Sequence, residues 1–301
     1  MLDAPIGDQY AVIESHRCER GTLRRAMATT EPKILDDTPV SLTGVVMDVV
    51  KLRILHAQEY SILAAKSVTN LFRPPYYWSD ILEQMDVIGV GSLPIVVLTG
   101  FFIGAVMVLQ TAAQFIRFGQ TALTADAVSL ALVRELGPTI AGLLVTGRNG
   151  SSIASELGSM VVTEQVDAMR AMGTDPTRKL VTPRMVATVL MLPLLTAMAD
   201  LSGLIGGYIV SIFTLRLGAV AFWTRAINIL DFSDLMQGLS KPFIFGFIIA
   251  TVGCYHGLRV RGGTQGVGRA TTSAVVASSV FILVANFFLT KIMLYLSGHV
   301  F

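Results

Sequence analysis

The sequence predicts an all-α polytopic membrane protein with about five transmembrane helices. Hydrophobic residues make up 52% of the 301 residues and charged residues only 15%, whereas a soluble domain carries about 25% charged residues. Several stretches long enough to cross a bilayer contain no charged residue at all. The composition therefore argues against an ordinary soluble enzyme, and the net charge of +2 is too small for a nucleic-acid-binding surface.

The chain begins with a segment that has no apolar core of the kind a secretory signal needs. We expect residues 1–40 to be a mobile cytosolic tail with several arginines. Residues 41–86 are expected to hold interfacial elbow helices, because residues 44–68 have the pattern of a basic amphipathic helix that lies along lipid headgroups. An aromatic group follows the Pro74-Pro75 break and predicts an anchor at the membrane surface: Tyr76, Tyr77 and Trp78.

The gaps between charged residues place the spans inside a transmembrane domain that covers residues 87–301. The predicted spans lie near residues 87–116, 127–153, 185–213, 242–258 and 272–296. The second is the weakest, because it contains Arg134, Glu135 and Arg148. Lysine and arginine concentrate in the segments that face the cytosol when the N-terminus is inside, and this bias predicts a cytoplasmic N-terminus.

Two connecting segments have distinctive compositions. Residues 218–240 are too polar to span, so a short surface helix is expected there. Residues 262–268 are rich in glycine but lack the Gly-Lys-Ser/Thr ending of a phosphate-binding loop, which favours a flexible inner loop before the last span.

Glycines recur at four-residue spacing within the predicted spans. The pairs are Gly100 with Gly104, Gly203 with Gly207, and Gly253 with Gly257. Such faces allow helix backbones to approach closely in a membrane. Packing within the chain is the simpler interpretation, and a dimer face is the alternative.

Residues with catalytic or metal-binding chemistry form no recognisable motif. The four histidines are scattered, Cys18 and Cys254 lie far apart, and no serine-hydrolase elbow is present. We therefore predict no catalytic residue, no metal site and no cofactor in this chain.

The stretch from residue 134 to residue 184 is the most informative part of the sequence. After Met160, apolar residues recur at Val162, Val166 and Met169 with charged residues off that stripe, which predicts a short helix. Gly173 suits the C-cap of this helix, and Pro176 suits the first turn of the next. The pattern predicts an exposed helical hairpin of mixed charge, residues 162–180, on the inner side between two spans.

Several motifs in this stretch occur in a fixed order. They are RELGP at 134–138, GRNGS at 147–151, SELGSM at 155–160, VTEQVDAM at 162–169, MGTDP at 172–176 and VTPR at 181–184, with GVGRATT at 266–272. This series resembles the MlaE-type permeases, the membrane subunits of ABC transporters that work with MCE proteins. The resemblance covers roughly residues 44–298 and excludes residues 1–40.

The resemblance implies a homodimer in the bacterial inner membrane. It further implies a cytosolic ABC ATPase that binds the ATP, an MCE-domain substrate-binding protein, a small cytosolic STAS-domain protein, and membrane lipid, usually phospholipid, as the substrate. The 162–180 hairpin would be the coupling helix, with the ATPase contact made by Glu164, Gln165, Asp167, Met169 and Pro176. The lipid cavity between protomers would be lined by Met107, Gln110, Gln114, Phe115, Phe118, Arg134 and Glu135.

The charged residues within the spans need partners or a polar cavity, because an ionisable group in a membrane is costly. We expect at least one of Arg134 and Glu135 to face the dimer cavity, with a locking pair to another span as the alternative. Asp200 is expected to be a buried structural acid.

The sequence leaves two other functions open. An ion-coupled secondary transporter of a hydrophobic solute would need inverted repeats, and none is clear in the sequence. A lipid-modifying enzyme would need a cluster of acids or histidines at one interface, and none is evident.

Overall fold

A computed structural model describes residues 42–71, 77–215 and 219–296 of the chain. The expected tail at residues 1–40 and the Pro74-Pro75 break lie outside the described residues. The chain divides into a unit that ends at His56 and a unit that starts at Ala57. The packing discussed below lies within the second unit.

The described regular structure is helical throughout. The α-helices are α1 (Leu42–Leu71), α2 (Trp78–Met85), α3 (Gly91–Phe115), α4 (Leu123–Ala131), α5 (Gly137–Val145), α6 (Ser151–Val162), α7 (Gln165–Ala171), α8 (Thr182–Leu215), α9 (Ala219–Asn228), α10 (Phe232–Leu258) and α11 (Gly263–Leu296). Wider π-helical turns join several of them end to end: Asp86–Val90, Leu132–Leu136, Thr146–Gly150 and Thr177–Val181.

Five continuous helical segments are long and apolar enough to cross a membrane. They are Trp78–Phe118, Leu123–Val162, Thr177–Thr214, Phe232–Leu258 and Gly263–Leu296. The predicted all-α polytopic fold is confirmed. Each segment extends beyond the predicted span inside it, because a helix continues past the charged and polar residues that ended the apolar stretches in the sequence. The interfacial position of residues 44–68 stays a prediction, although they fall within α1.

The polar segment at 218–240 divides into two parts. Ala219–Asn228 forms a separate short helix, as expected for a surface helix. The following residues are instead the first turns of α10, which a reciprocal capping box between Asp231 and Asp234 starts at Phe232. The polar side chains in these turns did not prevent a spanning helix, because Asp234 is buried in an ion pair.

The predicted flexible loop at residues 262–268 is wrong. Gly263 already begins α11, and Gly266 is buried where an added Cβ would lie 2.1 Å from the Arg261 carbonyl oxygen. Gly266 thus allows close packing, whereas Gly262 and Gly263 adopt positive φ angles of 89° and 65° at the turn into the helix. Composition alone does not distinguish these roles from flexibility.

Helices α3 and α8 pack closely along most of their length, because several residues at their interface are glycines, which have no side chain to separate the backbones. An added Cβ on Gly104 would lie 1.9 Å from the Gly203 carbonyl oxygen, and one on Gly206 would lie 2.1 Å from the Phe101 carbonyl oxygen. Gly253 and Gly257 likewise face α6. The repeated glycines therefore serve packing within the chain, the simpler of the two interpretations.

The main apolar core gathers side chains from five helices. Val96 of α3, Val145 of α5, Leu192 of α8, Phe245 of α10 and Ile282 of α11 are all buried in one cluster. This cluster fixes the relative positions of the spans on which the polar residues described next are placed.

Candidate functional site

A polar network lies inside the apolar bundle, where α10 and α11 meet the Leu132–Leu136 π-helical turn. The Lys241 ammonium, 1% exposed, donates three hydrogen bonds: to the Glu135 carboxylate at 2.7 Å, to the Arg134 carbonyl oxygen at 2.8 Å and to the Thr290 hydroxyl at 2.9 Å. All three donors of the lysine are therefore used, as a buried ammonium requires.

Glu135 is the second centre of this network. Its carboxylate accepts hydrogen bonds from the Thr290 hydroxyl at 2.9 Å and the Asn286 side-chain amide at 3.2 Å, besides the bond from Lys241. The network thereby ties the π-helical turn to α10 and α11 together.

Arg134 turns to a different partner on α10. Its Nε donates to Asp234 Oδ1 at 2.8 Å, and the Asp234 side chain is 3% exposed. The other Asp234 oxygen accepts from the Asp231 backbone N–H in the capping box. The adjacent residues Arg134 and Glu135 thus pair with opposite charges that lie seven residues apart on α10, at Asp234 and Lys241.

These pairs correspond to the locking arrangement that the sequence left as the alternative. The Arg134 and Glu135 side chains are also 34% and 39% exposed, so contact with a cavity stays a prediction for both. Sequence reasoning missed Asp234, Lys241, Asn286 and Thr290. The charges could have indicated the first two, because an arginine and a glutamate within one span each need a residue of opposite charge on another span.

A separate, largely apolar groove of about 490 Å³ runs along the exposed face of α3. Its lining residues are Leu98, Thr99, Phe102, Ile103, Val106, Met107 and Gln110. The structure thus brings together two of the predicted cavity residues, Met107 and Gln110. Gln114, Phe115 and Phe118 follow at the end of the same span, and Phe118 is 77% exposed. Arg134 and Glu135 are not among the groove's lining residues.

The 162–180 hairpin is exposed over most of its length. Glu164 has a φ of 60° and places α7 at an angle to α6; among the described residues it is the one non-glycine with positive φ. Gln165 and Asp167 are exposed, and Met169 is half-buried. Asp167 pairs with Arg170 at 2.9 Å, whereas Val166 is buried and attaches α7 to the body of the protein.

The end of α7 agrees with the sequence pattern. Gly173 has a φ of 78° and lets the chain turn, and the Asp175 carboxylate accepts a hydrogen bond from the Thr177 N–H at 2.9 Å. Pro176 is buried in the turn that leads to α8. It therefore shapes the hairpin rather than presenting its ring at the surface, unlike Glu164, Gln165 and Asp167.

Comparison with known proteins identifies the family. The family model described as Permease MlaE matches residues 81–292, which is more than half of the chain. The chain belongs to the MlaE permease family. The resemblance drawn from the motifs is thereby confirmed, and the chain is a multi-pass ABC transporter permease of that family.

Relatives of this MlaE-family permease carry related names. A Rickettsia felis protein named a probable ABC transporter permease is 45% identical over 233 residues, covering 77% of this chain and 90% of the relative. The Haemophilus influenzae intermembrane phospholipid transport system permease protein MlaE is 35% identical over 71% of this chain and 82% of its own length. A chloroplastic Arabidopsis thaliana protein, TRIGALACTOSYLDIACYLGLYCEROL 1, is 36% identical over 76% of this chain and 66% of its own length.

Proposed function

We propose that this chain is the permease subunit of an ABC-type transporter that moves phospholipid between membranes. It works as a homodimer in the bacterial inner membrane, with its N-terminus in the cytosol. The name of the Haemophilus influenzae relative supports phospholipid as the substrate. The apolar groove on α3 supports it independently, because acyl chains gain about 0.8 kcal/mol for each buried CH₂ group.

The single observation that carries this proposal is the exposed hairpin between two long spans. Its exposed surface presents Glu164, Gln165 and Asp167, with Met169 half-buried beside them. Such a surface suits docking into a separate cytosolic ATPase, which binds and hydrolyses the ATP. An MCE-domain protein receives or delivers the lipid, and a small STAS-domain protein completes the assembly.

The strained backbone of Glu164 supports the docking role. A non-glycine residue in the left-handed region costs about 1–2 kcal/mol. Such strain tends to occur at functional sites, where a required geometry outweighs the loss in stability. Here the required geometry is the angle between α6 and α7.

The helices that leave the hairpin provide a path from the ATPase to the groove. The hairpin ends in the Thr177–Val181 turn, which continues directly into α8. Helix α8 packs against α3 through the close glycine contacts, and α3 carries the groove. When ATP binding draws the two coupling hairpins of the dimer together, α8 moves with them and narrows the groove. The permease thus has two arrangements, one with a wide groove and one with a narrow groove, and the lipid binds one of them more tightly. The ATPase supplies the driving force for the change between them.

The test is a charge reversal on the hairpin. Asp167→Arg combined with Gln165→Arg should abolish co-purification of the ATPase while the permease still inserts into the membrane. Gln120→Arg is the matched control, since Gln120 is exposed at the opposite end of the spans. Deletion of residues 162–180 should give the same loss. An ATPase that stays bound to both altered proteins would refute the coupling role.

A further inference from the structure

Arg148 has an unusual environment for a charged residue. It lies in the Thr146–Gly150 turn, inside a helical segment long enough to cross a membrane, and it is exposed. Arg134 and Arg184 have carboxylate partners at Asp234 and Glu156. The Arg148 guanidinium has no ion pair or hydrogen bond to any of the described residues. An exposed guanidinium in such a segment needs water or a group from outside the chain to compensate its charge.

The neighbouring residues hold Arg148 in place. Asn149, 3% exposed, donates from Nδ2 to the Ser92 hydroxyl at 3.0 Å and to the Ile88 carbonyl oxygen at 3.3 Å. These bonds connect the Thr146–Gly150 turn to the Asp86–Val90 turn and the start of α3. The guanidinium then rests over Gly91, where an added Cβ would lie 2.9 Å from Arg148 Nη2. The buried contacts of Asn149 therefore fix the turn that carries the charge, and the guanidinium lies against Gly91.

The Arg148 guanidinium lies against Gly91, about two helical turns before Leu98, the first residue that lines the apolar groove. Leu98 and Phe102 line the groove and are 60% and 58% exposed. They follow Gly91 by seven and eleven residues on a continuous helix, so around the helix axis they lie within about 20° of the direction of Gly91. The rise per residue places them about 10 Å and 16 Å farther along α3. A molecule with an anionic head and an apolar tail would fit this order of groups.

We propose that Arg148 binds the phosphate of a phospholipid headgroup, with the acyl chains lying along α3 over Leu98 and Phe102. This inference rests on the proposed function and names the part of the lipid that the chain recognises. A guanidinium offers several fixed N–H donors and binds phosphate oxygens in pairs. The phosphate supplies the missing counter-charge, and the groove shields the lipid tail.

The rest of the exposed face supports a headgroup at this level. Below Arg148, α6 presents Ser152, Ser155, Glu156 and Ser159 rather than large apolar side chains. Ser152 and Glu156 are joined by a hydrogen bond of 3.0 Å. Hydrocarbon chains would not lie against these residues, whereas a hydrated headgroup can. The boundary between polar and apolar surface on this side therefore falls at Arg148.

The experiment compares lipid binding by the full-length protein in detergent, measured by native mass spectrometry. The probes are palmitoyl-oleoyl phosphatidylglycerol and palmitoyl-oleoyl glycerol, which share acyl chains and differ in the anionic phosphoglycerol headgroup. Arg148→Gln should weaken phosphatidylglycerol binding by roughly tenfold or more, because hydrogen bonds to charged groups are lost. Binding of the phosphate-free lipid should not change. Arg148→Lys should retain part of the affinity, and Arg261→Gln, another exposed arginine, should retain all of it.

The possible outcomes separate the two proposals. Equal phosphatidylglycerol binding by the wild type and Arg148→Gln would refute the role of Arg148 and leave lipid transport intact. A wild type that retains neither lipid would contradict the proposed function as well. Inorganic phosphate that displaces the lipid at equal concentration would show a free-anion site, and this too would refute the inference. Gly91→Val crowds the guanidinium without removing it, and it should lower phosphatidylglycerol binding even if Arg148→Gln fails to fold.

Discussion

Lys241 and Glu135 join two spanning helices through an ion pair whose Nζ and Oε1 atoms lie 2.7 Å apart. The lysine is 1% exposed and the glutamate 39% exposed. The two groups therefore differ in what they lose when the partner is removed. The lysine depends on the pair for its charge compensation, whereas the glutamate retains Asn286, Thr290 and some exposure.

Replacement of Glu135 tests this asymmetry. Glu135→Leu leaves a buried ammonium without a counter-charge and should reduce stability by about 3–5 kcal/mol. Glu135→Gln removes the same counter-charge but should cost less than Glu135→Leu, since its side-chain oxygen still accepts a hydrogen bond from Lys241. The double variant Glu135→Leu with Lys241→Leu should be more stable than Glu135→Leu alone. Thermal unfolding in detergent measures all three, and strictly additive losses would contradict the pairing.

The glycine contact between α3 and α8 makes a second prediction. Gly104→Ala places a Cβ 1.9 Å from the Gly203 carbonyl oxygen, so the helices must separate at a cost of about 1–3 kcal/mol. Gly268→Ala is the matched control, because no atom lies within 4 Å of its added Cβ. That variant should be neutral or slightly more stable. Similar melting temperatures for the two variants would show that the helices are not in close contact.

The strain at Glu164 predicts opposite changes in stability and coupling. Glu164→Gly removes the cost of a positive φ and should raise stability by up to about 1–2 kcal/mol. The same change removes a carboxylate from the docking surface and should weaken ATPase binding. The two measurements are a thermal melt of the permease and an affinity measurement with the ATPase. A less stable Glu164→Gly variant would argue against the left-handed conformation.

Tyr60 links α1 to α10 in a way that depends on pH. Its hydroxyl lies 2.8 Å from the Thr251 hydroxyl, and partial burial raises the pKa of Tyr60 above its ordinary value of 10.0. The folded protein therefore favours the neutral phenol, and its stabilising contribution is lost as the pH rises above the pKa of the unfolded chain. The melting temperature of the wild type should fall more steeply at high pH than that of Tyr60→Phe. Parallel curves would mean that Tyr60 is not buried.

The sequence allowed the spans to be predicted because they depend on local composition. The charge-free stretch from Val87 to Ile116, for example, is long enough that a membrane-spanning helix is its expected structure. The turn at Gly173 was equally predictable, since a helix that ends in a left-handed residue favours glycine. Both properties are set by neighbours in the chain.

The partners of the charged residues could not be predicted in this way. The composition puts Asp234 in a segment too polar to span, because its charge is compensated by Arg134, a hundred residues away in sequence. The π-helical turns at residues 132–136 and 146–150 also left no recognisable pattern, although they carry Arg134, Glu135, Arg148 and Asn149. Turns of this kind are frequent at functional sites, and they depend on tertiary contacts such as those of Asn149.

The most direct test of the central claim is lipid transfer between vesicles by the reconstituted protein. With the ATPase and the MCE-domain protein present, phospholipid transfer should require ATP hydrolysis and should stop with Gln165→Arg and Asp167→Arg. The permease alone should transfer no lipid under an imposed proton or sodium gradient. Transfer by the permease alone, driven only by such a gradient, would contradict the account and favour an ion-coupled secondary transporter.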